Sequence, residues 1–90
     1  MLRRPFLEVT YRKGKPFAGY LYLRESSSLP ICRTEEVRPG ILLDIGADGQ
    51  VLGIEFLYPG RVTPEDLEAI GEYLREADVP VADITPVLVR

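Results

Sequence analysis

Two runs of strand-forming residues, Ile41–Ile45 and Val51–Leu57, flank the string Gly46-Ala47-Asp48-Gly49. This is the strongest constraint on the backbone in the chain. Ala47 and Asp48 suit the centre of a type I turn, and Gly49 supplies the positive-φ position that closes a bulged hairpin. With Gly46 paired to Gln50, the register sets Leu42 across from Ile54 and Asp44 across from Leu52 on one face. Leu43 then opposes Gly53 and Ile41 opposes Glu55 on the other. Both faces read as largely apolar, and such a ribbon must be covered twice, once by its own chain and once by another layer, strand or subunit.

Prolines and glycines divide the preceding residues into segments of strand length. The expected strands are Phe6–Arg12, Phe17–Arg24 and Ile31–Val37, with turns at Lys13-Gly14-Lys15-Pro16 and Arg38-Pro39-Gly40 and a serine-rich loop at Ser26–Ser28. Alternation places Tyr20 and Tyr22 on one face of the second strand and Leu21 and Leu23 on the other. Thr63-Pro64-Glu65-Asp66 carries the marks of a helix start: a threonine N-cap, proline at the first helical position and early acids, with Asp66 placed to complete a capping box. Leu67, Ile70, Leu74 and Ala77 recur at helical spacing, while Glu65, Glu68, Glu72 and Glu76 face away. Pro80 and Pro86 interrupt the apolar stretch that follows, which suits an extended arm. The expectation is a single α+β domain over 1–90. It comprises an antiparallel β-meander of five to six strands within 5–58, one C-terminal helix at about 64–77 packed on one face, and an extended arm over 79–90.

Ninety residues give little room for a large core, so a partner surface is expected. The chain has no histidine and one cysteine, Cys32, which removes intrachain disulfides, the usual zinc sites and histidine-based catalysis. The net charge of −3 is unevenly divided. Residues 1–24 hold Arg3, Arg4, Arg12, Lys13, Lys15 and Arg24 against Glu8 alone, and the remainder is strongly acidic. No apolar run reaches the roughly 20 residues needed to span a bilayer, and no signal-peptide pattern follows Met1, so a soluble cytoplasmic protein is expected.

Tyr20-Leu21-Tyr22-Leu23, Thr34-Glu35-Glu36-Val37 ahead of Gly40–Asp44, and Asp48-Gly49 followed by Gly53-Ile54-Glu55-Phe56 resemble, in that order, a small prokaryotic family known as domain of unknown function 2283. The resemblance runs from Tyr11 to Leu57. It implies a compact antiparallel sheet with a helix packed on it, and no assigned activity. Where the family has an acidic turn before its aromatic strand, this chain has the basic Arg12-Lys13-Gly14-Lys15.

Three strands bring carboxylates toward one another, and Glu35, Asp44 and Glu55 form the candidate acidic cluster for acid/base work or an oxygen-ligated cation. Alternation separates Glu35 from Glu36, and the expected register separates Asp44 from Glu55. Pairing with Arg33 or Arg38 is the plainer role for these acids, and for Asp44 the plainer role is to accept backbone N–H groups at the turn. Cys32 is read as a small core residue. Arg12, Lys13 and Lys15 are candidate contacts for phosphate or an acidic partner, with Tyr11, Phe17, Tyr20 and Tyr22 nearby as stacking groups or, more simply, core. No catalytic residue, metal site or cofactor is assigned. The leading expectation is a non-enzymatic, homodimeric interaction module, with the basic N-terminal segment of one copy set against the acidic helix face of another. The alternatives are a nucleic-acid-binding accessory protein using the 12–15 hairpin and a carboxylate- or metal-dependent hydrolase.

Overall fold

The computed structural model describes residues 5–23 and 30–89; the expectations concerning Arg3, Arg4, Arg24 and the loop Ser26–Ser28 lie outside the described residues. Five strands, β1 (Phe6–Arg12), β2 (Lys15–Tyr22), β3 (Ile31–Arg38), β4 (Ile41–Gly46) and β5 (Val51–Phe56), precede helix α1 (Pro64–Glu76) and a short 3₁₀ segment, Val81–Val87. All pairings are antiparallel, and the order across the sheet is β1-β2-β5-β4-β3. The α+β class and the meander-like sheet expected from the sequence are what is found.

The turns form where their residue types direct. Lys13 and Gly14 both take positive φ, as a two-residue hairpin requires, so the tip is tighter than the four-residue turn expected. Gly49 adopts φ 82°, and the Gly46 N–H donates to the Gln50 carbonyl at 2.9 Å. One residue beyond that bond the register departs from expectation. Ile45 still faces Val51, but Asp44 faces Gly53, which leaves Leu52 as the extra residue of a β-bulge. From there on every pair is shifted by one: Leu43 opposes Ile54, Leu42 opposes Glu55 and Ile41 opposes Phe56.

A one-residue slip exchanges the two faces of a strand. Ile54 and Phe56 therefore join Ile41, Leu43 and Ile45 on the side that also buries Leu21 and Leu23. The expectation of a ribbon apolar on both faces is overturned, because the bulge sorts the large aliphatic side chains to one side.

Helix α1 starts as its sequence specifies. The Asp66 N–H donates to Thr63 Oγ1 at 3.2 Å and the Thr63 N–H returns to Asp66 Oδ2 at 3.0 Å. Its inward side chains Ile70 and Leu74 are buried on the sheet, and each such residue contributes about 1.5–3 kcal/mol. The chain after α1 is not the extended arm that its prolines imply. Pro80 caps the 3₁₀ segment, Pro86 sits inside it, and Ile84 and Val87 complete the core, with Val62 and Leu88 joined by a parallel bridge. Proline fixes φ near the 3₁₀ value and needs no N–H donor in a short turn, so the same residues that exclude a central strand allow this segment. The tail therefore seals the face that α1 covers.

At the free edge, β3 is exposed from Ile31 to Glu36. Cys32 is exposed with it, contrary to the core position expected, because it is the extra residue of a bulge on an edge strand. A second bulge follows Glu36, and Arg33 pairs with Glu35 at 3.6 Å across open solvent. Bulges and charges of this kind guard an edge against further strand pairing.

Candidate functional site

The bulge at Leu52 also decides what the second face of the sheet carries, the face left bare by α1 and the tail among the described residues. The registers define two rows of residues running across all five strands. In the first, Phe6, Tyr22, Gly53, Asp44 and Thr34 stand side by side from β1 to β3. In the second, the residues are Glu8, Tyr20, Glu55, Leu42 and Glu36.

Tyr20 links the rows. Its ring lies across β5 over Gly53, where a Cβ would collide with the ring and the hydroxyl, so a glycine is needed there for the backbone to pass beneath. Beyond β5 the Tyr20 hydroxyl donates to Asp44 Oδ2 at 2.6 Å, and Thr34 Oγ1 donates to the other carboxylate oxygen at 2.6 Å. Asp44 is only 8% exposed and is the charged residue most deeply placed in the sheet. Two short hydroxyl bonds satisfy both oxygens where water is scarce. Burial first, and then the hydrogen bond and charge of Asp44, push the Tyr20 phenol above its ordinary value, so Tyr20 stays a donor throughout the neutral range. The Tyr22 ring tilts against Tyr20 at 4.6 Å and stacks on Phe6 at 4.5 Å, and its hydroxyl donates to Glu8 at 3.2 Å. The result is an aromatic strip from β1 to β4, anchored at its inner end by a buried carboxylate.

The expected acidic cluster is regrouped by this geometry. Asp44 and Glu55 share the bare face, contrary to the expected separation, because of the register shift. Glu35 lies on the opposite side, level with Leu43 and tied to Arg33, and Glu36 takes its place on the bare face. Glu8, Glu55 and Glu36 stand on alternate strands, hence about 10 Å apart at the usual spacing of about 4.8 Å between neighbours. Among the described residues no group of three acidic, cysteine or histidine side chains is placed to hold a metal. The backbone-capping role expected of Asp44 belongs to Asp48, whose Oδ1 accepts the Gln50 N–H at 3.0 Å.

Arg12, Lys13 and Lys15 occupy the β1–β2 tip and are exposed. The Arg12 guanidinium lies 5.1 Å over the Phe17 ring. Tyr11 and Phe17, read as core from the sequence, are 59% and 53% exposed, because the tip projects beyond the part of the sheet that α1 and the tail cover. Elsewhere, Arg38 bonds to Asp66 at 2.8 Å and ties β3 to the start of α1. The Thr63 N–H first, and then Arg38, hold the Asp66 carboxyl below its ordinary value. A cleft of about 500 Å³ opens between the end of α1 and the β4–β5 turn. Its ionisable lining residues, Glu72, Tyr73 and Glu76, all come from one helix and are not a convergent set.

Residues 18–58 match the family model described as Protein of unknown function (DUF2283). The match covers most of β2 and all of β3–β5, and so includes Tyr20, Asp44, Gly53, Glu55 and Thr34; β1, α1 and the tail lie outside it. No curated protein and no solved structure matches the chain. The motifs that carried the resemblance, the aromatic strand, the strand ending in Asp44 and Gly53-Ile54-Glu55-Phe56, are the segments that interlock on the bare face. No helix among the described residues is long and apolar enough to cross a membrane.

Proposed function

We propose that this protein is a non-enzymatic docking module that receives a cationic partner on the bare face of its sheet. The row Glu8–Tyr20–Glu55–Leu42–Glu36 carries this reading: three carboxylates at regular spacing, with a tyrosine and a leucine between them. None of the three forms an ion pair among the described residues. Tyrosine faces attract guanidinium and ammonium groups, and carboxylates beside them add charge complementarity. Tyr20 needs no reordering to serve, since Asp44 already fixes it. The wide separation of the acids supports a surface that reads a charged segment and not a centre that activates one water or holds one metal.

The direct test is a titration of a fluorescent arginine-rich peptide, followed by anisotropy. Saturable binding that weakens with salt is expected, with a loss of roughly two- to fivefold on Glu55→Gln, equivalent to about 0.5–1 kcal/mol for a solvent-facing pair. A glutamate-rich peptide should not bind. Failure of the arginine-rich peptide to bind at low salt, at protein concentrations where the chain sediments as a monomer, refutes the reading. A second reading, contact with nucleic acid through the tip, has the exposed Tyr11 and Phe17 beside Arg12, Lys13 and Lys15 in its favour. The acidic row next to that tip would repel a phosphate backbone laid along the sheet.

A further inference from the structure

Building on that docking reading, we propose that the cationic partner is a second copy of this chain, joined by a two-fold axis so that the bare faces of the two β1–β2 hairpins meet. The argument begins with the residues that β1 presents on this face. Phe6, Glu8 and Thr10 oppose Tyr22, Tyr20 and Ala18, and strand alternation adds Arg12 beyond them. The bulge at this end of the hairpin leaves Phe17 as an extra residue of β2, so the alternation of β1 itself is undisturbed.

The order aromatic, acid, threonine, base is self-complementary. A two-fold axis lying across the strands at Thr10 sets Thr10 against Thr10 of the second copy, Glu8 against its Arg12 and Arg12 against its Glu8. The contact is thus made twice and closes on itself, as an isologous interface requires. The same operation carries Lys15, the neighbour of Arg12 across the hairpin, over Tyr20 and toward Glu55 of the other copy, where a cation gains from both the ring and the carboxylate.

This arrangement gives a role to features that the isolated chain leaves unexplained. A basic tip projects from an otherwise acidic molecule, and Glu8 and Glu55, two members of one row on this face, have no ion-pair partner among the described residues. The dimer anticipated from the sequence rested on burial of a second apolar face and set the basic N-terminal segment against the acidic helix face; here the acids that meet the basic tip are those of the sheet. Here the contact is electrostatic, with an aromatic strip beneath it.

Charge reversal tests the axis. The wild-type chain should sediment at twice its 10.1 kDa mass at micromolar concentration and low salt, and shift toward 10.1 kDa at molar salt. Arg12→Glu and Glu8→Arg, each set like charges against each other twice and should be monomeric. The double variant Glu8→Arg/Arg12→Glu restores the opposed pair in reversed sense and should sediment as a dimer again. Both side chains are exposed, so each variant should remain folded, and circular dichroism melts of each separate dissociation from unfolding. A monomeric wild type overturns the proposal, as does a dimer that both single reversals leave intact or a double variant that stays monomeric. A monomer that still binds the arginine-rich peptide overturns self-docking while leaving the docking reading in place. A monomer that instead binds a single-stranded oligonucleotide through Lys13 and Lys15 overturns both.

Discussion

The two faces of this sheet are built from the same five strands and held by different physics. On one side Leu21, Leu43, Ile54 and Phe56 lie under Ile70, Ile84 and Val87, all nearly or fully buried, and stability comes from apolar area removed from water. On the other side a single carboxylate, Asp44, collects two hydroxyl groups from strands on either side of β5 and β4, and an aromatic strip leans on that anchor. The first arrangement tolerates substitution that preserves volume. The second depends on particular atoms in particular positions, and it leaves its outer surface open. The covered face gives the molecule its fold, and the bare face gives it a rigid, chemically distinctive surface.

The largest expected effect falls on the covered side. Phe56→Ala should cost about 3–5 kcal/mol, read as a drop in the urea midpoint by far-ultraviolet circular dichroism. A smaller cost than that of any bare-face variant would invert the contrast between the faces.

Gly53→Ala is the sharpest probe of the bare side. The added methyl enters space held by the Tyr20 ring, so the ring must leave Asp44, at about 1–3 kcal/mol. Combining it with Tyr20→Ala removes the obstruction. The double variant should therefore be less unstable than the two separate losses added together, and strict additivity would show that Tyr20 does not rest on Gly53.

The smallest effect belongs to the joint between the layers. Asp66→Asn weakens the capping box and the bond to Arg38 and should cost about 0.5–1 kcal/mol. Because the folded protein holds the Asp66 carboxyl below its ordinary value, that stabilisation is fully present above the usual carboxylate range. It is lost as pH falls from that range through the lower native value. The wild type and Asp66→Asn melting curves should therefore converge on acidification, and a constant gap between them would remove Asp66 from the acid response.

Much of the fold was legible in short-range chemistry. The Gly46–Gly49 turn, the Thr63-Pro64-Glu65-Asp66 helix start and the helical recurrence of Ile70 and Leu74 are local patterns, and each element formed where its residues directed. The candidate site was legible only in part. Asp44 and Glu55 were visible as acids on adjoining strands, but their partners Thr34, Tyr20 and Glu36 come from strands whose alignment a sequence does not print. Gly53 showed itself only as a glycine inside a strand, a sign that another group approaches closely. The exposure of Cys32 and Phe17 was missed for a related reason: both are extra residues of bulges, where alternation fails.

Ahead of the tail, the sequence by itself determined which segments become strand, turn and helix, since those choices depend on backbone preferences and contacts a few residues apart. Which face each β5 side chain occupies was decided by the tertiary structure. One extra residue at Leu52 exchanges inside for outside, and the cost of that bulge is met only when Ile54 and Phe56 reach the layer formed by α1 and the tail. The long-range core thus chose the register, and the register brought Tyr20, Asp44 and Thr34 together.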